Sequence, residues 1–465
     1  MTNWLPDLSQ WPAPRYVAIA DALAAEVAAG RFKAGDRLPT HRDLAWRLGV
    51  TVGTVSRAYA EAERRGLVGG EVGRGTFVRG LETSDSVFHY GHSELQAETI
   101  DLGIAAPPAG LAERFLGTTL EALARDPRAA ALLAYQPAAG RPEHRAAGAE
   151  WLARRGYPVP PDRIVVTNGG NHGVIVALAA TTRPGDRVLT ESLSYALIRP
   201  IARMLGLRLE GVAADEQGLR PEAVAAACRK GDVTALYCIP TLQNPTTAVM
   251  PEARRSALAE VARRHDFAIL EDDIFARLVE PLPPTIARLV PERGFYITSL
   301  SKTLAPGLRV GYVAGPAAAG DRLAGALRTT CMMASPIPAE IAARWIGDGS
   351  AERLLAGNRR ELTRRRELAL EILDAWQIAG PVGSLFLWLH LPAPWRAAEF
   401  AAEARRRGVE IAPADAFAVD RGTAPANAVR IGLGPPRDRD RLAQALERLA
   451  EMLRGGPDES IASIV

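Results

Sequence analysis

This chain of 465 residues contains three lysines and 53 arginines, and one of the lysines lies among other reactive side chains. An arginine guanidinium stays protonated in proteins, whereas a lysine amine can lose its proton and form a Schiff base with an aldehyde. Lys302 ends the run Ser299-Leu300-Ser301-Lys302, and Arg309 follows shortly after it. This grouping of hydroxyls, amine and guanidinium predicts a site for an aldehyde cofactor that carries a phosphate.

Two polar motifs supply partners for the ring of such a cofactor, pyridoxal phosphate. Asp272 stands in Glu271-Asp272-Asp273 after a predicted strand, and its carboxylate can keep the pyridine nitrogen protonated so that the ring withdraws electrons. Asn244, next to Pro245, also follows a predicted strand, and its amide can donate to the ring hydroxyl. The sequence therefore predicts both ring contacts near strand ends.

The phosphate of the cofactor needs backbone N–H groups at a helix start, together with hydroxyls and a cation. Gly170 and Asn171 lie at a predicted strand-to-helix turn. The remaining groups of the predicted phosphate site are Ser299, Ser301 and Arg309.

Two further residues complete the predicted site. Tyr195 could stack on the ring face, and Arg430 could pair with a substrate carboxylate. Taken singly, all these motifs are more often helix caps, turns, core aromatics or structural ion pairs. The four main motifs occur in one order, each after a predicted strand. This order favours a shared site, because ligands in such sheets bind at the carboxyl ends of the strands.

The elements that must position these residues form an alternating pattern from residue 100 onward. Short apolar runs predict strands, and amphipathic stretches such as Pro251–His265 predict helices between them. The predicted strands are Arg163–Thr167, Arg187–Thr190, Ala235–Ile239, Phe267–Leu270, Phe295–Thr298 and Arg309–Val313. The pattern predicts an α/β domain with a mainly parallel sheet, followed by a smaller C-terminal lobe with a strand at Gly383–Leu389.

The first 80 residues have a different pattern, with helical periodicity over 15–30. Thr40 predicts the N-cap of a second, short helix, and a third begins at Thr51. The apolar stripe predicted for the third helix comprises Val52, Val55, Ala58, Tyr59 and Ala62. Two short strands, Leu67–Gly70 and Thr76–Val78, complete a winged helix-turn-helix.

In a helix-turn-helix, the second helix of the pair places its first residues in the major groove of double-stranded DNA. The positions of this helix predicted to be exposed and to contact DNA are Thr51, Gly53, Thr54 and Arg57. Arg42 on the preceding helix and Arg74 on the wing are also predicted to contact DNA. Arg42 suits a phosphate, Arg57 suits a guanine or a phosphate, and Arg74 at the wing tip suits the minor groove. The alternative for each arginine is a solvated surface position.

Charge follows the same division of the chain. Residues 1–80 carry 11 Lys+Arg and 8 Asp+Glu, a net of +3 that equals the net charge of the whole chain. This small excess permits nucleic-acid binding without requiring it. The predicted domains are a DNA-binding domain at 1–80, a linker at 81–99 and a cofactor domain at 100–465. Three scattered cysteines and the absence of a signal-peptide pattern or a long apolar run favour the cytoplasm.

On the motifs above, residues 100–465 resemble the fold-type I pyridoxal phosphate enzymes, the aspartate aminotransferase superfamily. Residues 12–80 resemble the GntR-type winged helix through Leu38-Pro39-Thr40-His41-Arg42-Asp43-Leu44-Ala45 and Gly73-Arg74-Gly75-Thr76-Phe77-Val78. Their fusion in this order resembles the MocR subfamily of bacterial regulators. The resemblance implies Lys302 as the Schiff-base lysine, and a homodimer in which each DNA-binding domain reaches across to the other subunit.

Two departures from these families bear on function. Ile274 and Phe275 stand where many relatives have a tyrosine that touches the ring hydroxyl, so Asn244 would carry that oxygen alone. GntR-like chains often have an arginine at the position of Val52, so base reading would fall to the threonines and Arg57. The first departure predicts weak transamination at most.

Three functions remain open on these grounds. The first is a transcription regulator whose aminotransferase-like domain senses pyridoxal phosphate, an amino compound or both through an aldimine at Lys302. The second is an active aminotransferase of amino acids with a residual helix-turn-helix, in which Lys302 would also move a proton. The third is a binding protein that has lost the cofactor, and the complete set of site residues argues against it. The retained core periodicity and wing glycines favour the regulator.

Replacing the candidate lysine tests the cofactor assignment. Lys302→Ala is expected to abolish the visible absorbance of the Schiff base, because no other amine of the site can form it. Absorbance spectra taken with pyridoxal phosphate before and after sodium borohydride treatment provide the measurement. A band that survives borohydride in this variant would contradict the assignment.

Overall fold

The computed structural model describes residues 4–8, 11, 14–28, 31–32, 35–64, 67–71, 75–78, 99–420 and 426–456. The chain divides into two compact units, of which the first contains the described residues up to Val78 and the second those from Thr99 onward. The predicted linker, 81–99, lies outside the described residues except for Thr99. No helix among the described residues is long and apolar enough to cross a membrane.

The first unit contains three helices and a hairpin within its described residues. They are α1 (Arg15–Ala28), α2 (His41–Leu48), α3 (Val52–Arg64), β1 (Val68–Glu71) and β2 (Gly75–Val78), the last two paired antiparallel. Thr40 caps α2 as predicted, because its side chain accepts a hydrogen bond from the Asp43 backbone N–H. Gly49 ends α2 with φ 63°, a left-handed conformation that glycine adopts without strain.

The core of the first unit confirms the predicted stripe of α3 except at its first residue. Val55, Ala58, Tyr59 and Ala62 are buried, and α3 packs on both α1 and α2. Val52 is 45% exposed, so its assignment to the buried stripe was wrong. It is the first residue of the helix and lies at the edge of the stripe, where the covered part of α3 has not yet begun.

The second unit is larger and alternates helices with strands. Its helices are α4 (Ala112–Arg125), α5 (Pro142–Arg154), α6 (Gly170–Thr181), α7 (Ile198–Met204), α8 (Pro221–Cys228), α9 (Glu252–His265), α10 (Ile286–Leu289), α11 (Gly320–Cys331), α12 (Pro336–Gly347), α13 (Ser350–Ile372), α14 (Ala397–Arg406) and α15 (Arg439–Gly455). Its strands are β3 (Ile100–Asp101), β4 (Ile164–Thr167), β5 (Arg187–Glu191), β6 (Arg208–Val212), β7 (Ala214–Asp215), β8 (Gly218–Leu219), β9 (Ala235–Cys238), β10 (Ala268–Asp272), β11 (Gly294–Ser299), β12 (Gly311–Ala314), β13 (Ile378–Ala379), β14 (Phe386–His390), β15 (Val409–Glu410), β16 (Ala412–Pro413) and β17 (Ala428–Gly432).

The main sheet of this unit has seven strands among the described residues, in the order β4-β12-β11-β10-β9-β5-β6. All neighbouring pairs are parallel except the two formed by β12, which runs antiparallel to β11 and β4. The prediction of a mainly parallel sheet is therefore confirmed. All six predicted strands are present within two residues of their predicted bounds. The unpredicted seventh, β6, is an edge strand in which only Val212 is buried, so it lacks an apolar run.

The C-terminal lobe contains a four-stranded sheet in the order β13-β14-β17-β16, antiparallel throughout. The strand predicted at Gly383–Leu389 is β14, which begins later, at Phe386. Gly383 has φ 83°, and the Ser384 N–H donates to the Pro381 carbonyl, so these residues form a turn instead.

Three consecutive acidic residues, Glu271-Asp272-Asp273, are buried at the end of the central strand β10. Arg255 on α9 is fully buried beside the first of them, with Nη1 3.3 Å from Glu271 Oε1. The Ala287 N–H donates to the other oxygen of Glu271 at 2.8 Å. Asp273 accepts from Arg155 Nε at 2.7 Å. The strand end that carries the predicted pyridine partner is thus fixed on both sides by buried charge pairs.

Removing one of these buried cations should destabilise the second unit. Arg255→Ala leaves Glu271 buried without its cation, and the expected loss is about 3–5 kcal/mol of unfolding free energy. Urea unfolding of the cofactor-free protein, followed by tryptophan fluorescence, measures it. Arg263→Ala on the same helix removes an exposed pair with Glu292 and should cost less than about 1 kcal/mol. Equal losses in the two variants would contradict the importance of the buried pair.

Candidate functional site

Ten of the predicted site residues line one cavity of about 270 Å³ in the second unit. They are Gly170, Asn171, Tyr195, Asn244, Asp272, Ser299, Ser301, Lys302, Arg309 and Arg430. Most of them lie at or after the carboxyl ends of β4, β5, β9, β10 and β11, whereas Arg430 comes from β17 of the C-terminal lobe. Ala105, Leu197, Ile239, Ile274 and Phe275 supply the apolar part of the wall.

Lys302 follows β11 and extends its amine into this cavity. The Nζ atom donates a hydrogen bond to the Ala105 carbonyl at 2.6 Å. Burial lowers the pKa of Lys302 to about 8, and the positive charges of Arg430 and Arg309 act in the same direction. A neutral amine, the form that attacks an aldehyde, is therefore accessible near neutral pH.

Asp272 is the last residue of β10 and is almost wholly buried. Its Oδ2 accepts a hydrogen bond from the Tyr237 hydroxyl at 2.6 Å, whereas its Oδ1 has no hydrogen-bond partner. Burial raises the pKa of Asp272 to about 7, while hydrogen bonds from the Tyr237 hydroxyl and from the backbone N–H of Ile274 oppose that rise. An unsatisfied buried carboxylate oxygen is costly and suits a cationic N–H donor, such as a protonated pyridine nitrogen.

Tyr237 is a functional neighbour that sequence analysis missed. It lies on β9, is fully buried, and orients Asp272 from the adjacent parallel strand. In the sequence, Tyr237 is one residue of an apolar run and lies 35 positions before its partner Asp272. No local motif therefore indicates its role.

The predicted phosphate site gathers a helix start, two hydroxyls and a guanidinium. The Ser299 and Ser301 hydroxyl oxygens lie 3.1 Å apart, and Arg309 Nη1 donates to Ser301 Oγ at 3.3 Å. Gly170 begins α6, and Gly169 before it has φ 84°. A Cβ at Gly169 would lie 2.6 Å from Arg309 Nη2, so a side chain there would displace the guanidinium. The arrangement can bind a dianion.

Arg430 and Asn244, which both line the cavity, are joined by a hydrogen bond. Arg430 Nη1 donates to Asn244 Oδ1 at 2.7 Å, and its Nη2 donates to the Gly103 carbonyl at 2.5 Å. The guanidinium carbon lies 4.8 Å from the centre of the Phe417 ring, within cation–π range. A carboxylate that binds Arg430 must therefore replace or share these neutral partners.

The wall that carries Ile274 and Phe275 offers no hydrogen-bond donor from either side chain. Phe275 packs edge-on against Phe386, with ring centroids 5.4 Å apart. Tyr195 also lines the cavity, and its hydroxyl donates weakly to Asn171 Oδ1 at 3.4 Å. The amide of Asn244 is consequently the candidate donor for a ring hydroxyl on this side.

The predicted DNA-contacting residues divide into three groups. Thr51, Gly53 and Arg57 are exposed, as predicted, and Arg42 is exposed as well. Thr54 is half-buried, and its hydroxyl lies 2.8 Å from that of Thr51, so its prediction as an exposed position was wrong. Arg74 lies outside the described residues.

The chemistry of the cavity fits pyridoxal phosphate on observations independent of the motifs. The cavity combines an amine of lowered pKa with an unpartnered buried carboxylate oxygen. It also holds a glycine-lined helix start facing a guanidinium and two hydroxyls. These groups match an aldehyde, a pyridine nitrogen and a phosphate.

The raised pKa of Asp272 predicts a pH-dependent stability for the cofactor-free protein. The unfolded chain releases this proton near pH 4 and the folded chain near pH 7, so between these values the folded chain holds more protons. Rising pH should lower the unfolding free energy there by up to about 1.4 kcal/mol per pH unit. Asp272→Asn should remove this component, as measured by urea unfolding at pH 5, 6 and 7. Asp321→Asn, at an exposed position, should keep the wild-type slope, and a wild-type slope in Asp272→Asn would contradict the assignment.

Comparison with known proteins assigns both parts of the chain. Residues 98–449 match the family of class I and II aminotransferases, and residues 15–78 match the gntR family of bacterial regulatory proteins. YdeF of Bacillus subtilis, an uncharacterized HTH-type transcriptional regulator, is 29% identical over 97% of both chains. A 2-aminoadipate transaminase of Thermus thermophilus is 27% identical over 70% of this chain and 82% of its own.

Solved structures agree on the fold of the larger unit. The crystal structure of an archaeal alanine:glyoxylate aminotransferase superposes with a TM-score of 0.73 at 24% identity, covering 86% of this chain and all of that one. The chain thus belongs to the class I and II aminotransferase family, with a gntR-family domain preceding the aminotransferase domain.

Proposed function

We propose that the protein is a DNA-binding transcription regulator whose aminotransferase-like unit binds pyridoxal phosphate and senses the cofactor, an amino compound or both. One observation carries the proposal: a winged helix whose core is buried and whose helix α3 begins with two exposed residues shares its chain with a complete cofactor-binding cavity. The domain order supports assignment to the MocR subfamily, and YdeF, with the same span, is named as a regulator.

In this proposal each group of the cofactor has a partner in the cavity. Lys302 meets the aldehyde, Asp272 the pyridine nitrogen and Asn244 the ring hydroxyl, while Tyr195 covers the ring face. The phosphate is held by Gly170, Asn171, Ser299, Ser301 and Arg309, and Arg430 binds the carboxylate of the amino compound. Bound pyridoxal phosphate supplies an electron sink for a carbanion next to the amino group. Asp272 keeps that sink protonated through Oδ1.

The segment Gly103–Ala105 offers a route from ligand binding to the linker. Its two end carbonyls accept hydrogen bonds from Arg430 and Lys302, and one residue, Leu102, separates it from the end of β3. The Asp101 side chain accepts from the N–H of Gly103 at 2.8 Å, which holds the segment to the end of β3. A ligand that occupies both cations takes these hydrogen bonds from the segment. Because β3 comes next after the linker in the chain, a shift of this segment would bias the position of the DNA-binding unit.

The proposal includes a cytoplasmic homodimer in which each DNA-binding domain reaches to the other subunit. The second unit exposes large apolar side chains on α4, on the adjoining 3-10 helix Pro127–Leu133 and on α12, which pack together. These side chains are Leu116, Leu120, Leu133 and Ile337, and Tyr135, two residues after the 3-10 helix, is exposed as well. An exposed apolar surface of this kind is typical of a subunit interface.

An active aminotransferase is the second candidate function. The complete cavity and the lowered pKa of Lys302 favour it, since that amine can exchange protons near neutral pH. The similar 2-aminoadipate transaminase points the same way. The apolar side chains of Ile274 and Phe275 argue for slow turnover, because neither can steady the ring hydroxyl.

Footprinting on the upstream intergenic region of its own gene tests the regulator. Two protected half-sites are expected, with two chains per duplex, and pyridoxal phosphate should change the protection pattern at fixed salt. Lys302→Arg keeps the charge but lacks a reactive amine, so it should protect the DNA without responding to the cofactor. No protection under either condition, together with turnover on an amino-acid panel, would favour the aminotransferase instead.

A further inference from the structure

The first turn of α3 presents an apolar side chain where a DNA-reading helix meets the bases. Val52 is 45% exposed at the first position of the helix, although its stripe neighbours Val55 and Tyr59 are buried. We propose that Val52 reads thymine by packing on its 5-methyl group in the major groove. This inference rests on the proposed DNA-binding function and names the base that this helix selects.

The polar residues of the same turn are engaged within the protein. The Thr51 and Thr54 hydroxyl oxygens lie 2.8 Å apart, and the Thr54 N–H donates to Thr51 Oγ1 at 3.1 Å. The Arg57 guanidinium carbon lies 5.5 Å from the centre of the Tyr16 ring, one turn further along the helix. The side chain of Val52, in contrast, leaves 45% of its surface exposed at the start of the helix.

Gly53 allows this surface to come close to the base pairs. A Cβ at Gly53 would meet only Thr51 Oγ1, at 3.8 Å, so packing within the protein does not require glycine there. A glycine at an exposed position of a reading helix lets the backbone approach DNA closely. The methyl group of thymine is the apolar group that base pairs present in the major groove. Val52 and Gly53 together therefore match an apolar contact at short range.

The test removes the methyl group from the DNA instead of the side chain from the protein. Duplexes bound by the full-length, cofactor-loaded protein are selected from a randomised pool, and each thymine of the selected site is then replaced singly by uracil. Loss of one buried methyl group corresponds to about fourfold weaker binding. We expect that loss at one thymine in each half-site and no change at the others.

Combining the protein substitution with the thymine-to-uracil replacement gives a double-mutant cycle. Because the substitution is present in both subunits, Val52→Ala should weaken binding about fourfold for each half-site, and it should no longer distinguish thymine from uracil at that position. Val382→Ala, at a position 57% exposed in the second unit, is the matched control and should behave like the wild type. Unchanged binding of Val52→Ala to non-specific DNA would show that the variant is folded.

Two results would overturn the inference, and they differ in scope. A sequence-specific complex in which no uracil replacement weakens binding, or in which Val52→Ala keeps the full thymine preference, excludes the Val52 contact alone. The absence of any sequence-specific complex excludes both the contact and the proposed function.

Discussion

The cost of burying three adjacent carboxyl groups at the end of β10 is the constraint on which the cavity depends. Each member of Glu271-Asp272-Asp273 is fully or almost fully buried, and the cost of burial is offset differently for each carboxyl group. The outer two are paired with Arg255 and Arg155, whereas the middle one accepts a hydrogen bond from the neutral hydroxyl of Tyr237. One oxygen of Asp272 and one of Asp273 have no hydrogen-bond partner, and of these two residues Asp272 lines the cavity. Neutralising the outer charges with arginine leaves the middle carboxylate available for a ligand.

The charge of the cavity follows from the same arrangement. Lys302, Arg309 and Arg430 all line it, against the single carboxylate of Asp272. Mutual repulsion of the cations helps to lower the pKa of the lysine, so the feature that readies the amine also attracts anions. The two arginines lie toward a helix start and toward Asn244 respectively. A ligand with one phosphate and one carboxylate would satisfy both and restore electrical balance.

Local sequence motifs were enough to predict much of the fold and most of the cavity lining. The features that they missed depend on pairing between residues far apart in the sequence. Polar residues next to strand ends could be predicted because apolar runs mark the strands and the sheet brings their ends together. Tyr237 and Arg155 could not, since their roles depend on partners 35 and 118 residues away. Val52 was assigned to the core because helical periodicity does not show where the covering elements stop.

The two units also differ in how freely their functional residues can change. The acidic residues at the end of β10 are bonded to several buried partners, so a substitution there destabilises the fold as well as changing which ligand binds. The start of α3 has no such ties at Val52 and Gly53, which meet little of their own protein. Duplicated copies of such a gene could therefore acquire new promoters by changing one or two exposed residues, while inheriting the cofactor unaltered. Diversity in a lineage of these proteins should accumulate at the reading helix first.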